Sequence, residues 1–409
     1  MPADELKTPK TFWAFPWGHS QSLAAAAALA ATGVLIQLVT DSYCPLLKYP
    51  FNIAALLLFV SAITTLHLAA GKSSLLRWLS SIPAAVASIV VLGILALGMG
   101  LLPQQVGFSP RHVFSNISNS WPYFLAVLFL LLTLGMTVLK RLVPFEVKNI
   151  GFLFNHLGLW IALAAASFGA GDVRRLIVEA KLGQTVSLAQ DERGQTVAPG
   201  IAIELKRFDI EYFSPAIVLY DLKTNQAVKN VEPAYLDWPK REYSLNKTKI
   251  QVKSYLPEAV SIGEGFQPFH GPGAVPAALL SVEQDGELYE GWTNPPNKLH
   301  NGSGVVLPGE RLLALSHPQP KRFISEIKVN TREGQTVEAS VEVNKPLRLG
   351  PWRIYQLSYD TELGRWSEIS VLELNRDPWL PVVYAGLIMM IAGALYMFWR
   401  GAGNRERSL

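Results

Sequence analysis

A single cysteine, Cys44, stands in 409 residues. One thiol excludes an intrachain disulfide, a CxxC redox pair, a cysteine metal cage and a CxxCH motif within this chain. Charge is scarce as well. Only 17% of residues are charged against 50% hydrophobic, and the mean hydropathy is +0.23. The chain is too apolar for an ordinary soluble protein and too charged for one that lies wholly in a membrane. The net charge of +4 is small and spread out, so no basic stripe marks a nucleic-acid partner. There is no GxSxG, no P-loop and no HExxH, and no residue is assigned a catalytic role. None of the 11 tryptophans is adjacent to another. No internal repeat or low-complexity tract is present.

What the chain has is long apolar runs. A helix of about 20 apolar residues crosses a bilayer core of roughly 30 Å. Six such runs have ends near 20–40, 51–70, 82–102, 122–140, 151–170 and 380–399. The first is Ala-rich with no convincing cleavage site after it, so it reads as a signal anchor. Trp17, Trp78, Trp121, Trp379 and Trp399 lie near span ends, where aromatic belts form. Lys7, Lys10, Lys72, Arg77, Lys140, Arg141, Lys148, Arg400, Arg405 and Arg407 flank the spans on one side, and the other side's short loops carry only Lys48 and Arg111. The first side is therefore expected to be cytoplasmic, with both termini inside.

The expected fold is an integral membrane α-helical bundle of about six spans with a large β-rich extracytoplasmic domain. Its parts are a cytoplasmic N-terminus over about 1–19, a five-span membrane domain over about 20–171, a periplasmic β-rich domain over about 172–378, a sixth span over about 379–400 and a cytoplasmic tail. Within the outer domain, "TVEASVEV" alternates Val337, Ala339, Val341 and Val343 with Thr336, Glu338, Ser340 and Glu342, the period of a half-buried strand. "IAIELK", "WRIYQLSY" and "SEISVLEL" read the same way. "DERGQ", "KTNQ", "REGQ" and "TELGR" are turn signals. The Gly- and Pro-rich stretch 257–303 is expected to form long loops, and "VRRLIVEAKLGQ" a short amphipathic helix at the membrane surface.

An ionisable ring on an apolar span needs a reason. His67, in "TTLHLAAGK", lies about three residues, or about 4–5 Å, from the cytoplasmic end of the second span. Either it snorkels to the interface or it is an axial ligand, since neutral imidazole binds iron well. His156, in "FNHLGLWIALAA", opens the fifth span and so lies near the same leaflet. The alternative for it is a cap-like role with Asn155. His19 borders the first span and His112 lies in an outside loop. His270, His300 and His317 fall in or beside the loop-rich part of the outer domain. None of these five has metal-ligand spacing with another ligand residue. Asp172 is expected to end or cap an element, and Arg376 and Asp377 to bracket a structured entry to the last span.

"NHLGLWIALAAASFGAGD" (155–172), "NKPLRLGPWRIYQLSYD" (344–360) and "NRDPWLPVVYAGLIMMIAG" (375–393) resemble the ResB (CcsB) family of cytochrome c biogenesis proteins. The resemblance covers most of the chain. It implies a subunit of the System II cytochrome c maturation machinery in the inner membrane of a bacterium. Such a subunit works with a CcsA-type partner, an apocytochrome c and transient haem shared with the partner. It is an accessory subunit of a haem lyase rather than the catalyst. In fused relatives a membrane histidine of the ResB part binds haem iron. His67 matches that place best, and His156 is the second cofactor-binding candidate. The partner's Trp-rich WWD motif and its extra spans are missing, so this chain is expected to be one half of the machine. Two other classes stay open: a b-type cytochrome in which His67 and His156 hold one haem, and a non-haem receptor for a periplasmic protein.

Overall fold

The computed structural model describes residues 12–104, 109–224, 226–245, 248–297 and 301–406. Of the histidines, His300 lies outside the described residues, as do Lys7, Lys10 and Arg407 among the flanking charges. The chain forms two compact units. One comprises the helices (1–175, 192–194 and 376–409) and the other the sheets (176–191 and 195–375).

The helical unit holds α1 (His19–Thr40), α2 (Phe51–Ala70), α3 (Ser74–Leu79), α4 (Ile82–Leu101), α5 (Trp121–Leu142), α6 (Ile150–Gly169) and α7 (Leu380–Glu406). All but α3 are long and apolar enough to cross a membrane. Their starts follow local chemistry. Pro83 and Pro122 sit in the first turns of α4 and α5, where a missing N–H costs nothing. Ser120 caps α5 by accepting from the Tyr123 N–H. The short α3 carries Trp78, which is buried rather than placed in an interfacial belt. Its indole donates to Ser22 Oγ at 2.8 Å and its ring packs on Trp17 and Phe129.

Small residues set the tightest contact. A Cβ on Gly158 of α6 would lie 2.5 Å from the Met390 nitrogen and 2.6 Å from the Gly386 oxygen. One on Gly393 would lie 2.3 Å from the Asn155 nitrogen, and one on Gly169 would lie 2.3 Å from the Trp379 ring. The α6 and α7 backbones thus touch along their length, antiparallel, through glycines. Asn155 spans the contact by donating to the Met390 carbonyl at 3.0 Å, so it does not cap α6 with His156. By contrast α2 is sparsely covered: only Asn52 and Ile63 along it are buried.

The other unit is two β-sandwiches, one inserted in the other. In the outer one, a six-stranded sheet runs in spatial order Leu347–Leu349, Trp352–Tyr359, Ile369–Arg376, Arg174–Lys181, Ala189–Asp191, Thr196–Val197. A four-stranded sheet (Thr336–Glu342, Pro320–Thr331, Ile201–Tyr212, Thr185–Val186) faces it. Leu176, Ile203, Leu205, Val329, Ile354 and Leu374 join both sheets in one core. The inserted sandwich has its own core around Ile217, Val252, Leu280 and Leu313. It is built from strands between Ala216 and Leu315.

Two expectations fail. Residues 174–181 are a strand, not a surface helix, because Leu176, Val178 and Ala180 bury one face at period 2. The stretch 257–303 is largely sheet. Gly265–Pro268, Thr248–Ile262, Val275–Gln284 and Glu287–Thr293 lie side by side in that order in one sheet. Its glycines serve tight turns: Asp285 and Gly286, with φ of 51° and 86°, form the two-residue turn of a hairpin.

Candidate functional site

The helical unit is pinned at one end by Asp172. Its Oδ1 accepts from the Tyr49 N–H at 2.8 Å, and its Oδ2 accepts from the Asn52 carboxamide at 2.7 Å and the Trp379 indole at 2.8 Å. Asn52 is fully buried and also donates to the Phe168 carbonyl at 3.1 Å. Glycine makes the approach possible: a Cβ on Gly171 would lie 2.2 Å from the Leu47 oxygen. One carboxylate therefore joins the start of α2, the end of α6 and the entry to α7. Asp377 orders that entry by accepting from the N–H groups of Trp379 and Leu380. Asp172 is thus a junction of three elements rather than a local cap, and sequence alone gave no sign of its partners.

At this node the start of α2 meets the end of α6, so the two helices run antiparallel. At 1.5 Å per residue, His67 on α2 and His156 on α6 both lie roughly 20 Å from it. A second contact fixes the faces. Around Gly135 of α5, a Cβ would lie 2.9 Å from Ile63 Cδ1 and 3.0 Å from Trp160 Nε1. Ile63 and Trp160 therefore meet over α5. His67 follows Ile63 by one turn and His156 precedes Trp160 by one turn, so the same two faces carry both histidines toward the end bearing Lys72, Arg77, Lys140 and Arg141. Leu139 of α5 stands at that level, packed with the bundle core.

The two rings differ in their surroundings. His156 Nδ1 lies 3.1 Å from the Phe152 carbonyl oxygen, and the ring stacks on Phe152 with centroids 3.8 Å apart. The Arg141 guanidinium lies 5.3 Å from the centroid of the Phe152 ring and donates to Asn149 Oδ1. Nε2 of His156 is left for any further partner. His67 is half-buried, and among the described residues nothing hydrogen-bonds its ring. The level thus offers two imidazoles, apolar and aromatic walls, and a guanidinium.

The remaining histidines are elsewhere. His19, His112 and His317 are exposed. His270 pairs with Glu258 and sets its ring edge-on to Trp366 at 4.3 Å. Arg365 bonds both Glu258 and, at 3.0 Å, Asp209, tying the two sandwiches together. No group of three or more His, Cys, Asp or Glu among the described residues could hold a metal ion.

The model of the ResB-like family matches residues 311–367, a run from the Arg311–Leu315 strand of the inserted sandwich to the Gly364–Trp366 turn of the outer one. No curated protein matches the chain.

Proposed function

We propose that this chain, a ResB-like protein by its residues 311–367, is a membrane subunit of System II cytochrome c maturation. The family is associated with cytochrome c biogenesis. On this reading the chain works with a CcsA-type partner to pass haem across the bacterial inner membrane and present it to the CxxCH cysteines of apocytochrome c. The sheet unit is periplasmic and is a clamp for partner and apocytochrome.

The observation that carries this reading is the common depth of His67 and His156 on neighbouring helices. Haem here is cargo. His67 would hold its iron, on the helix that the rest of the chain covers least, where a partner helix can reach it. His156 would stand by through Nε2, and Arg141 would offer charge to a propionate. The same depth match favours a second reading, in which both histidines hold one haem within this chain as a b-type cytochrome.

The test is haem content. The chain is purified alone and with its CcsA-type partner, and haem per chain is measured beside maturation of a reporter c-type cytochrome. Haem and maturation only in the pair support the biogenesis reading. Stoichiometric low-spin haem in the chain alone supports the cytochrome. Haem in neither leaves the receptor for a periplasmic protein.

A further inference from the structure

We propose that Asp172 is a positioning residue for the histidine level at the opposite end of the bundle: it sets the axial register of α2 against α6. The proposal rests on the reading of His67 and His156 as a shared haem level, and it adds how that level is held.

Few contacts fasten α2. Only Asn52 and Ile63 of its residues are buried. Ile63 is apolar, and an apolar contact on a helix surface tolerates sliding to the next turn. Hydrogen bonds do not, because they need one atom opposite another. α2 makes one directional contact with α6, Asn52 to the Phe168 carbonyl, and one with the turn that follows it, Asn52 to Asp172 Oδ2. The residue before α2's first turn adds a third, since the Tyr49 N–H reaches Asp172 Oδ1. Trp379, just before α7, holds the same carboxylate, so the acceptor is itself tied to the closely packed α6–α7 pair. A charged acceptor with three donors is a strong clamp. A slip of one turn would move His67 by about 5 Å relative to His156 and separate the two rings in depth.

The experiment reads register directly and needs no haem. In a Cys44→Ser background, paired cysteines are placed at His67→Cys with His156→Cys. Off-register pairs are Ile63→Cys with His156→Cys and Ala70→Cys with His156→Cys. A short bis-maleimide is applied in native membranes. With Asp172 present, the 67–156 pair is expected to link fastest. In Asp172→Ala its yield relative to the off-register pairs should fall about tenfold, as expected for losing a charged hydrogen-bond clamp. Asp172→Glu, which keeps the charge, should restore part of the preference. Unchanged ratios would overturn the proposal. So would an equal loss of all three pairs in inserted protein, because Asp172 would then hold the helix without fixing its register. If the ratios shift as expected but the chain with its partner binds no haem, the positioning role stands and the haem reading fails.

Discussion

The Asn52 carboxamide donates across 2.7 Å to the Asp172 carboxylate, joining the first turn of α2 to the turn that follows α6. Asn52 is fully buried, and its other donor contact is the Phe168 carbonyl. Replacing it by Ala removes the donor and leaves Asp172 with Tyr49 and Trp379 alone. Asn52→Ala is expected to cost about 1–3 kcal/mol, read as a lower thermal midpoint in detergent. Ile53→Ala, at an exposed neighbour on the same turn, should change the midpoint far less.

The glycine contact between α6 and α7 gives a sharper contrast. A side chain on Gly158 meets backbone atoms of Met390 and Gly386, which cannot give way. Gly158→Leu should separate the helices, at a cost of about 1–3 kcal/mol or more, and lower the amount of protein accumulating in the membrane. Gly93 of α4 has nothing within 4 Å of the same position. Gly93→Leu should leave accumulation unchanged in the same immunoblot.

Much of the helical unit is legible in the sequence. The six apolar runs match α1, α2, α4, α5, α6 and α7 to within a few residues, because about 20 apolar residues in a row admit few other folds. Period-2 alternation identified the sheet unit. It could not say that Ile201–Tyr212 pairs with Pro320–Thr331 across a whole inserted sandwich. Residues 174–181 were misread because Leu176, Val178 and Ala180 share a segment with Val173 and Ile177, so both periods fit. Glycines in 257–303 were counted as loop when Gly286 serves a hairpin turn. At the candidate site, the shared depth of His67 and His156 could be counted from the span ends. The Asp172 node could not, since its partners Asn52 and Trp379 are 120 and 207 residues away in sequence.

Cys44 is buried, and its N–H donates to the Asn119 carbonyl at 3.0 Å. Burial pushes its thiol up to about 11, so the thiolate is scarce until the pH approaches that value. Maleimide labelling of the folded protein is expected to be slow between pH 7 and 9 and to become fast on denaturation. Cys44→Ser should leave cytochrome c maturation intact, because the thioether bonds use the substrate's thiols. Loss of maturation at normal protein level would reveal a thiol role.

Orientation is tested separately. The Lys and Arg bias near the span ends predicts that reporters fused after residues 250 and 405 report opposite sides of the membrane. Signals on the same side would contradict the six-span arrangement.

The most direct test returns to His67. Its ring has no hydrogen-bond partner among the described residues and sits level with His156. With the CcsA-type partner co-expressed, His67→Ala is expected to lose most bound haem and most cytochrome c maturation. Added imidazole, small enough to fill the open axial position, should restore part of both. His156→Ala is the control and should retain more haem than His67→Ala. Near-normal haem and maturation in His67→Ala would contradict the account, leaving the ring as an interfacial imidazole with no part in holding iron.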